Sequence, residues 1–148
     1  MSDDPVEIAA ELCRKCEGFR ATPYYCPAGV CTIGYGATYY LDGRPIKPSD
    51  ARISKETAEK LLLAMLERVY IPAARRYCPA ADGRHLAALA DFAFNLGCTR
   101  LSGSTLRRVY NAGDLARARE EILKWDRAGG RRLPGLTARR NAEAALLY

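Results

Sequence analysis

The sequence predicts an α+β fold in which a small antiparallel sheet follows the first helix and a larger helical lobe lies behind it. Apolar residues recur at helical spacing before residue 18 and again after residue 54. Between them, from Thr22 to Ile46, short β-branched and aromatic runs alternate with turn residues. Because helices and strands are segregated along the chain, a cleft is expected between the two lobes, and such clefts hold extended substrates.

The first helix is expected to begin after Asp4, a candidate N-cap, with Pro5 at its first position and Gly18 just past its end. Its core-facing stripe is predicted at i+4 spacing: Ile8, Leu12 and Cys16, with Cys13 beside it.

Five or so helices are predicted after the sheet. The second helix of the chain begins after Ser54 and must end or kink at Pro72, which cannot donate a backbone hydrogen bond. The later ones are expected over about residues 85–96, 104–112, 114–128 and 137–148, with N-cap candidates Ser104, Asp114 and Thr137.

Composition indicates one ordinary domain over residues 1–148, since 49% of the 148 residues are hydrophobic. No uninterrupted apolar run approaches the roughly 18 residues of a membrane span. The segment from Met1 to Pro5 lacks the basic and apolar regions of an export signal. We therefore expect the chain to fold in the cytosol, with no stable membrane insertion.

Positive charge is concentrated in the last third of the chain. Residues 100–148 carry 11 basic and 5 acidic side chains and so account for the whole net charge of +6. This asymmetry predicts a polyanionic partner, which is a nucleic acid, a membrane surface or an acidic cell wall. A basic module that binds nucleic acid or lipopolysaccharide is one alternative, but no helix-turn-helix spacing or aromatic stacking signature accompanies the charge.

Glu17 is the first candidate for chemistry, because it ends the first helix just before the sheet. Helix carbonyls at that end disfavour a carboxylate and favour the protonated form that a general acid needs. A glycosidase usually pairs its acid with a second carboxylate. No Asp or Glu lies between Glu17 and Asp42, and Cys26 and Thr32 stand there instead.

Four separated blocks of the chain resemble the phage-type lysozymes, the endolysins akin to the T4 and P22 lysozymes. Glu17, Cys26 and Thr32 match the spacing E-x8-[D or C]-x5-T of that family's catalytic triad. The blocks are EGFR at 17–20 with YCPAG and TIGYG, DFAFNLG at 91–97, STLR at 104–107, and WDRAGG at 125–130 with LPGL and RR.

This resemblance implies a lysozyme-like fold and a muramidase that cuts β-1,4 bonds between N-acetylmuramic acid and N-acetylglucosamine. It implies that Glu17 donates a proton to the leaving oxygen, that Cys26 acts on the opposite face of the transition state, and that Thr32 orients water or substrate. Two departures stand out, because many members have Asp in place of Cys26 and His in place of Ala37. Substrate-contact candidates are Tyr35, Asn95, Arg139 and Arg140.

The resemblance also implies how the enzyme works in its setting. We expect peptidoglycan as the partner, no nucleic acid, no cofactor and a monomer. The enzyme is expected to wait in the host cytoplasm until a holin-type pore opens the membrane, and then to act on the periplasmic wall. Hydrolysis and anhydro-sugar formation both stay open, as do inversion and retention.

Six cysteines leave several interpretations open. The pattern of Cys13, Cys16, Cys26 and Cys31 resembles a four-thiolate zinc site, although the first two fall within a helix rather than on a tight turn. A disulfide between Cys26 and Cys31 would remove the catalytic thiol, so oxidation of Cys26 is predicted to silence the enzyme. The expectation is that no metal is bound and that the single histidine, His85, is structural or solvated.

Overall fold

The structure, a computed structural model, describes residues 3–148 and is mostly helical, with two small two-stranded antiparallel sheets. Met1 and Ser2, part of the segment assessed for an export signal, lie outside the described residues. In order, the elements are α1 (Pro5–Glu17), β1 (Arg20–Tyr25), β2 (Cys31–Gly34), α2 (Lys55–Met65), a π-helical turn (Leu66–Tyr70), α3 (Ile71–Tyr77), α4 (Gly83–Leu96), α5 (Cys98–Ser102), α6 (Thr105–Asn111), α7 (Leu115–Leu123), β3 (Arg127–Ala128), β4 (Arg131–Arg132) and α8 (Pro134–Ala145).

Helix α1 has the predicted boundaries but a different buried face. The Asp4 carboxylate accepts a hydrogen bond from the backbone N–H of Val6 at 3.0 Å, and Gly18 ends the helix with a φ of 72°. Cys16 is exposed, so its predicted place in the core stripe is wrong. The fully buried side chains are Ala9, Ala10 and Cys13, because small residues let α1 approach α4 closely.

The predicted sheet is present as the two antiparallel strands β1 and β2, with Tyr24 opposite Thr32 and an irregularity between Arg20 and Tyr24. Two single antiparallel bridges, Ile33 with Ala37 and Tyr39 with Pro45, extend the sheet lobe beyond β2. A small core joins this lobe to α2 and consists of Ile33, Ala37, Ile46 and Leu61.

Pro72 does not end the second predicted helix, which continues through it to Tyr77 after a change from α- to π-helical geometry. It lies in the first turn of α3, and the π-helical turn Leu66–Tyr70 joins α2 to α3. The first turn of a helix tolerates proline because its backbone N–H groups have no intrahelical partner there.

Helix α4 lies at the centre of the larger lobe, where every residue from Leu86 to Ala93 is buried. It packs against α1, α3 and α8. It begins at Gly83, two residues before the prediction, because Asp82 provides the cap. Helix α5, which follows Gly97, was not predicted.

The predicted helix over residues 114–128 ends early, at Leu123, and a hairpin of β3 and β4 follows it. Its turn residues Gly129 and Gly130 have φ values of 59° and 77°. Two successive positive φ angles are typical of a two-residue hairpin turn, which a glycine pair adopts without steric cost.

Thr137 is not the N-cap of the last helix, because α8 already begins at Pro134. The Thr137 hydroxyl instead contacts the carboxylate of Asp126 at 3.2 Å and the Leu133 carbonyl. Thr137 thus ties α8 to the segment that precedes the hairpin. Within residues 3–148, no helix has the length and apolar character needed to cross a bilayer.

Candidate active site

A groove separates the sheet lobe from the helical lobe. One cavity of about 600 Å³ defines its centre and brings together Glu17 from α1, Cys26 from the turn after β1, Thr32 from β2 and Asn95 from α4. An adjoining cavity of about 780 Å³ extends along α1 and α8 and shares Glu17 and Asn95 with the first. The predicted cleft is therefore present, with five of the predicted site residues on its walls: Glu17, Cys26, Thr32, Asn95 and Arg139.

Glu17 occupies the end of α1, where Gly18 turns the chain into β1. Its side chain is 22% exposed, so the carboxyl group faces the groove while most of its surface is covered. Gly36 lies behind it, and a Cβ at Gly36 would be 3.2 Å from Oε1 of Glu17 and 3.4 Å from the Phe94 ring. The absence of a side chain at Gly36 therefore leaves the space that this carboxyl group occupies.

Arg139 from α8 holds Glu17 from the other side. Its Nη1 donates to Oε2 of Glu17, while its Nε and Nη2 donate to Asp91 at 2.9 and 2.8 Å. The Cys13 thiol also donates to Asp91, at 3.2 Å. Asp91 and Arg139 are 0% and 4% exposed, so this ion pair lies inside the protein.

Asp91 and Arg139 each stabilise the charged form of the other. Burial alone would raise the pKa of Asp91, but hydrogen bonds from Glu143 and Arg139 outweigh it and hold that pKa below its ordinary value. Burial alone would lower the pKa of Arg139, and its bonds to Asp91 raise that pKa instead. Both groups are therefore charged, and the guanidinium is fixed toward Glu17.

Cys26 opens the tight turn between β1 and β2. A hydrogen bond from the Val30 backbone lowers the pKa of the Cys26 thiol; slight burial opposes this, and the Ala28 backbone and the Thr32 hydroxyl add to the lowering. The turn is closed by backbone bonds of Cys26 to Val30 at 3.0 Å and from Gly29 at 2.8 Å. This turn favours the thiolate, which is the nucleophilic form.

Thr32 is 3% exposed and lies on β2, with its hydroxyl within hydrogen-bond reach of the Cys26 thiol. Its hydroxyl donates to the Val30 carbonyl at 2.8 Å. One hydroxyl proton can point to that carbonyl or toward the Cys26 thiolate, but not to both at once. In the first arrangement the Thr32 oxygen keeps its lone pairs for a water or a substrate hydroxyl.

Asn95 lines both cavities from the last turn of α4. Its side-chain oxygen is buried and has no hydrogen-bond partner among residues 3–148. An unsatisfied buried amide oxygen costs free energy, and a bound donor would relieve that cost. The predicted role of Asn95 in substrate contact is consistent with this position.

Tyr35 and Arg140 are not among the residues that line either cavity. Tyr35 is 9% exposed and packs against Phe19, with ring centroids 5.8 Å apart. Arg140 is 0% exposed and pairs with buried Glu143, with contacts of 2.7 and 2.8 Å. Both positions suit packing inside the lobes, and of the two adjacent arginines only Arg139 reaches Glu17.

The cysteines are spread over the structure rather than gathered. All six are within the described residues and all are free thiols. In residues 3–148, no three His, Cys, Asp or Glu side chains are grouped as metal ligands would be. Inactivation by oxidation of Cys26 stays a prediction.

His85 joins α4 to other parts of the helical lobe. Its Nδ1 lies 2.9 Å from the Tyr110 hydroxyl and its Nε2 contacts the Tyr148 carbonyl. These contacts are structural, as predicted. Ala37 is buried and exchanges backbone hydrogen bonds with Ile33, so no polar pair forms where many phage-type lysozymes have His.

The site includes four further residues to which the sequence analysis assigns no role: Asp91, Gly36, Arg100 and Arg127. Asp91 had one usable signal, because it is an isolated acid within the otherwise apolar run that predicts α4. A buried acid in such a run requires a cationic partner. Nothing in the sequence indicates that Arg100 and Arg127, far apart along the chain, line one cavity.

A glutamate at the end of the first helix, a small sheet across a groove, and a helical lobe behind it define a lysozyme-type glycoside hydrolase. The family model described as phage lysozyme matches residues 14–143. The chain belongs to this family.

Individual proteins that are similar to this chain support the same family. The endolysin of Acyrthosiphon pisum secondary endosymbiont phage 1 is 34% identical over 139 residues, which cover 91% of this chain and 91% of that protein. A solved endolysin from Escherichia coli O157:H7 phage FAHEc1 has a TM-score of 0.81 and 29% identity, covering 95% of this chain and 90% of that chain. The muramidase domain of SpmX from Asticaccaulis excentricus has a TM-score of 0.79 and 28% identity, covering 94% of this chain and 93% of that chain.

These similarities confirm the predicted lysozyme-like α+β fold. They also confirm the predicted class of enzyme, a lysozyme of the endolysin type that hydrolyses bacterial peptidoglycan.

Proposed function

We propose that Glu17, Cys26 and Thr32 carry out the cleavage of β-1,4 bonds between N-acetylmuramic acid and N-acetylglucosamine. The observation that carries this proposal is that all three line one cavity between the lobes, although they come from a helix end, a turn and a strand. Peptidoglycan strands are extended, and the groove is open along α1 and α8 beyond Glu17.

Glu17 acts as the general acid. Arg139 donates to Oε2 of Glu17, so Oε1 is the oxygen that carries the proton toward the glycosidic bond. The charge of Arg139 is balanced by Asp91, so its contact with Glu17 orients the carboxyl group without presenting a full unpaired cation to it. Proton transfer to the leaving oxygen lets the sugar ring develop its oxocarbenium character.

Cys26 and Thr32 act on the opposite face of that ring. The Cys26 thiolate is favoured by the turn that holds it, and a negative charge there stabilises the developing positive charge. Thr32, with its proton directed to the Val30 carbonyl, accepts a hydrogen bond from a water or a sugar hydroxyl. Asn95 offers its unpartnered oxygen to an N–H of the substrate, such as that of an acetamido group.

In its biological setting the enzyme acts as a monomeric endolysin. It degrades the periplasmic wall of the host once a holin-type pore lets it pass the membrane. The 11 basic and 5 acidic side chains of residues 100–148 support attraction to an acidic wall.

Product analysis of digested peptidoglycan tests the proposed reaction. We expect purified peptidoglycan to yield muropeptides with new reducing N-acetylmuramic acid ends, each carrying the mass of one added water. Products that carry an anhydro sugar would show transglycosylation instead. Absence of any new saccharide end, with the wall nevertheless bound, would contradict an enzymatic role.

A further inference from the structure

Two arginines from outside the sheet lobe of β1 and β2 line the central cavity. Arg100 lies on α5 and Arg127 lies on β3, and both belong to the cavity that contains Glu17. In the part of the chain that the structure describes, neither forms an ion pair with a carboxylate. Arg127 makes a long hydrogen bond of 3.4 Å to the Gly130 carbonyl, which leaves most of its donors open.

The two walls of this cavity differ in chemistry. The sheet side presents neutral or weakly acidic polar groups, from Tyr24, Cys26, Thr32 and Thr38. Helix α5 and the hairpin of β3 and β4 contribute the two arginines. Among the described residues that line this cavity, Glu17 is the one carboxylic acid, and it is already bound to Arg139.

This division matches the two parts of the peptidoglycan polymer. Sugar hydroxyls and acetamido groups are neutral and suit the sheet wall, whereas the peptides attached to muramic acid carry carboxylates. A guanidinium binds a carboxylate through two parallel hydrogen bonds, which a neutral carboxamide cannot match in charge. A glycan seated against the sheet would therefore direct its peptide toward Arg100 and Arg127.

We propose that Arg100 and Arg127 form a carboxylate-binding site for the peptide arm of the substrate. The consequence is selectivity: strands whose peptides carry free carboxylates are cleaved in preference to strands in which those groups are amidated. This proposal rests on the proposed function, because it assigns the recognition of one part of the same substrate.

General attraction between a basic protein and an acidic wall is the competing explanation, and Arg131 separates the two. Arg131 is an exposed arginine on β4, in the same hairpin as Arg127, but it is not among the residues that line the cavity. Arg131→Gln changes the net charge by the same amount as Arg127→Gln. Arg131→Gln therefore measures the effect of losing one positive charge without losing an arginine that lines the cavity.

The test uses two soluble peptidoglycan fragments of equal glycan length. In one the D-glutamate residue of each peptide has a free α-carboxylate, and in the other that group is amidated. At about 0.15 M salt, where long-range attraction is screened beyond roughly 8 Å, kcat/KM is measured for the wild type, Arg100→Gln, Arg127→Gln and Arg131→Gln, each checked for folding by circular dichroism. Arg100→Lys and Arg127→Lys are added as variants that keep the charge.

The wild type is expected to favour the free-carboxylate fragment by about five-fold. Each glutamine variant at Arg100 or Arg127 should lose about that factor on this fragment, through a higher KM, and should change little on the amidated one. Arg131→Gln should match the wild type on both. Equal losses on both fragments, or an equal loss in Arg131→Gln, would overturn the carboxylate site. Failure of the wild type to cleave either fragment or intact peptidoglycan would instead contradict the proposed function.

Discussion

The guanidinium of Arg139 contacts the carboxyl group of Glu17, although 122 positions separate the two residues along the chain. The same guanidinium is bound through its other nitrogens to Asp91 on the central helix α4. The first helix, the central helix and the last helix therefore meet at one cation. We infer that the position of the general acid depends on the fold of the whole helical lobe.

Asp91→Asn is predicted to be destabilising and to reduce activity. It leaves Arg139 without its buried counter-charge, which typically costs about 3–5 kcal/mol, and it frees the guanidinium to move away from Glu17. Urea unfolding measures the first effect and kcat measures the second. Asp42→Asn is the control, because Asp42 pairs with Arg44 at the exposed surface and should change little. Unchanged stability in Asp91→Asn would contradict the role of this buried pair.

The stabilising effect of Asp91 should also depend on pH. Its pKa is lower in the folded protein than its ordinary value, so the folded state favours the carboxylate. This contribution is fully present above the unfolded pKa of about 3.9 and is lost as the pH falls through the folded value. The difference in unfolding free energy between wild type and Asp91→Asn should therefore narrow below about pH 4. A constant difference down to pH 2 would contradict the assignment.

Gly36→Ala is predicted to reduce catalysis by displacing Glu17. The new Cβ would lie 3.2 Å from Oε1 of Glu17, at a position with a φ of +88°. Gly43→Ala is a closely matched control, because Gly43 has the same φ and nothing within 4 Å of its Cβ position. Both variants should lose roughly 1–2 kcal/mol of stability from backbone strain. Only Gly36→Ala should lose kcat as well, by about ten- to a hundred-fold; equal kcat values in the two variants would contradict this.

The pH profile of kcat/KM should reflect the Cys26 thiolate. Because the turn lowers the pKa of Cys26, the active thiolate is present above that lowered value and activity falls as the pH drops through it. In Cys26→Asp this acidic limb should move to lower pH, since a carboxyl group has an ordinary pKa of about 3.9 against about 8.5 for a thiol. Cys31→Ser, at the neighbouring half-buried thiol, should keep the wild-type limb. An acidic limb that is identical in the wild type and Cys26→Asp would exclude Cys26 as its source.

Asn95→Ala is predicted to raise KM with little effect on folding. The buried side-chain oxygen of Asn95 has no partner in the free protein, so its removal breaks no hydrogen bond made by that oxygen. Asn111→Ala serves for comparison, because the Asn111 amide is bonded to the Tyr77 carbonyl outside both parts of the groove. Steady-state kinetics on soluble peptidoglycan should show the KM effect in Asn95→Ala alone. A lower melting temperature with unchanged KM would indicate a structural role instead.

Local signals in the sequence predict most helix boundaries, because capping residues and proline act through their immediate neighbours. Asp4, Ser104 and Asp114 each accept a backbone hydrogen bond at the start of the helix that they are predicted to cap, and Ser54 does the same for the helix predicted to begin after it. The sequence does not reveal the hairpin of β3 and β4, because a glycine pair after a helical pattern is equally typical of a helix end, whereas here its positive φ angles form a hairpin turn.

Tertiary contacts of the site are harder to obtain from the sequence. Arg139 and Arg140 are adjacent, and successive residues point about 100° apart around a helix, so one reaches Glu17 and the other is buried against Glu143. Composition and spacing do not tell which arginine faces which way. The catalytic roles of Glu17, Cys26 and Thr32 are predicted from their match to the spacing of a family motif, and the three side chains do line one cavity. Asp91 positions Glu17 through Arg139, and this arrangement depends on how α4 and α8 pack against each other.

The most direct test of the central claim compares the wild type with Glu17→Gln on outer-membrane-permeabilised Gram-negative cells. Both proteins are kept reduced and are checked for folding by circular dichroism, with Glu11→Gln as a control at an exposed position of the same helix. The wild type and Glu11→Gln should clear the suspension, and Glu17→Gln should be slower by at least about 10²-fold. A folded Glu17→Gln protein that clears the cells at the wild-type rate would contradict the assignment of Glu17 as the general acid.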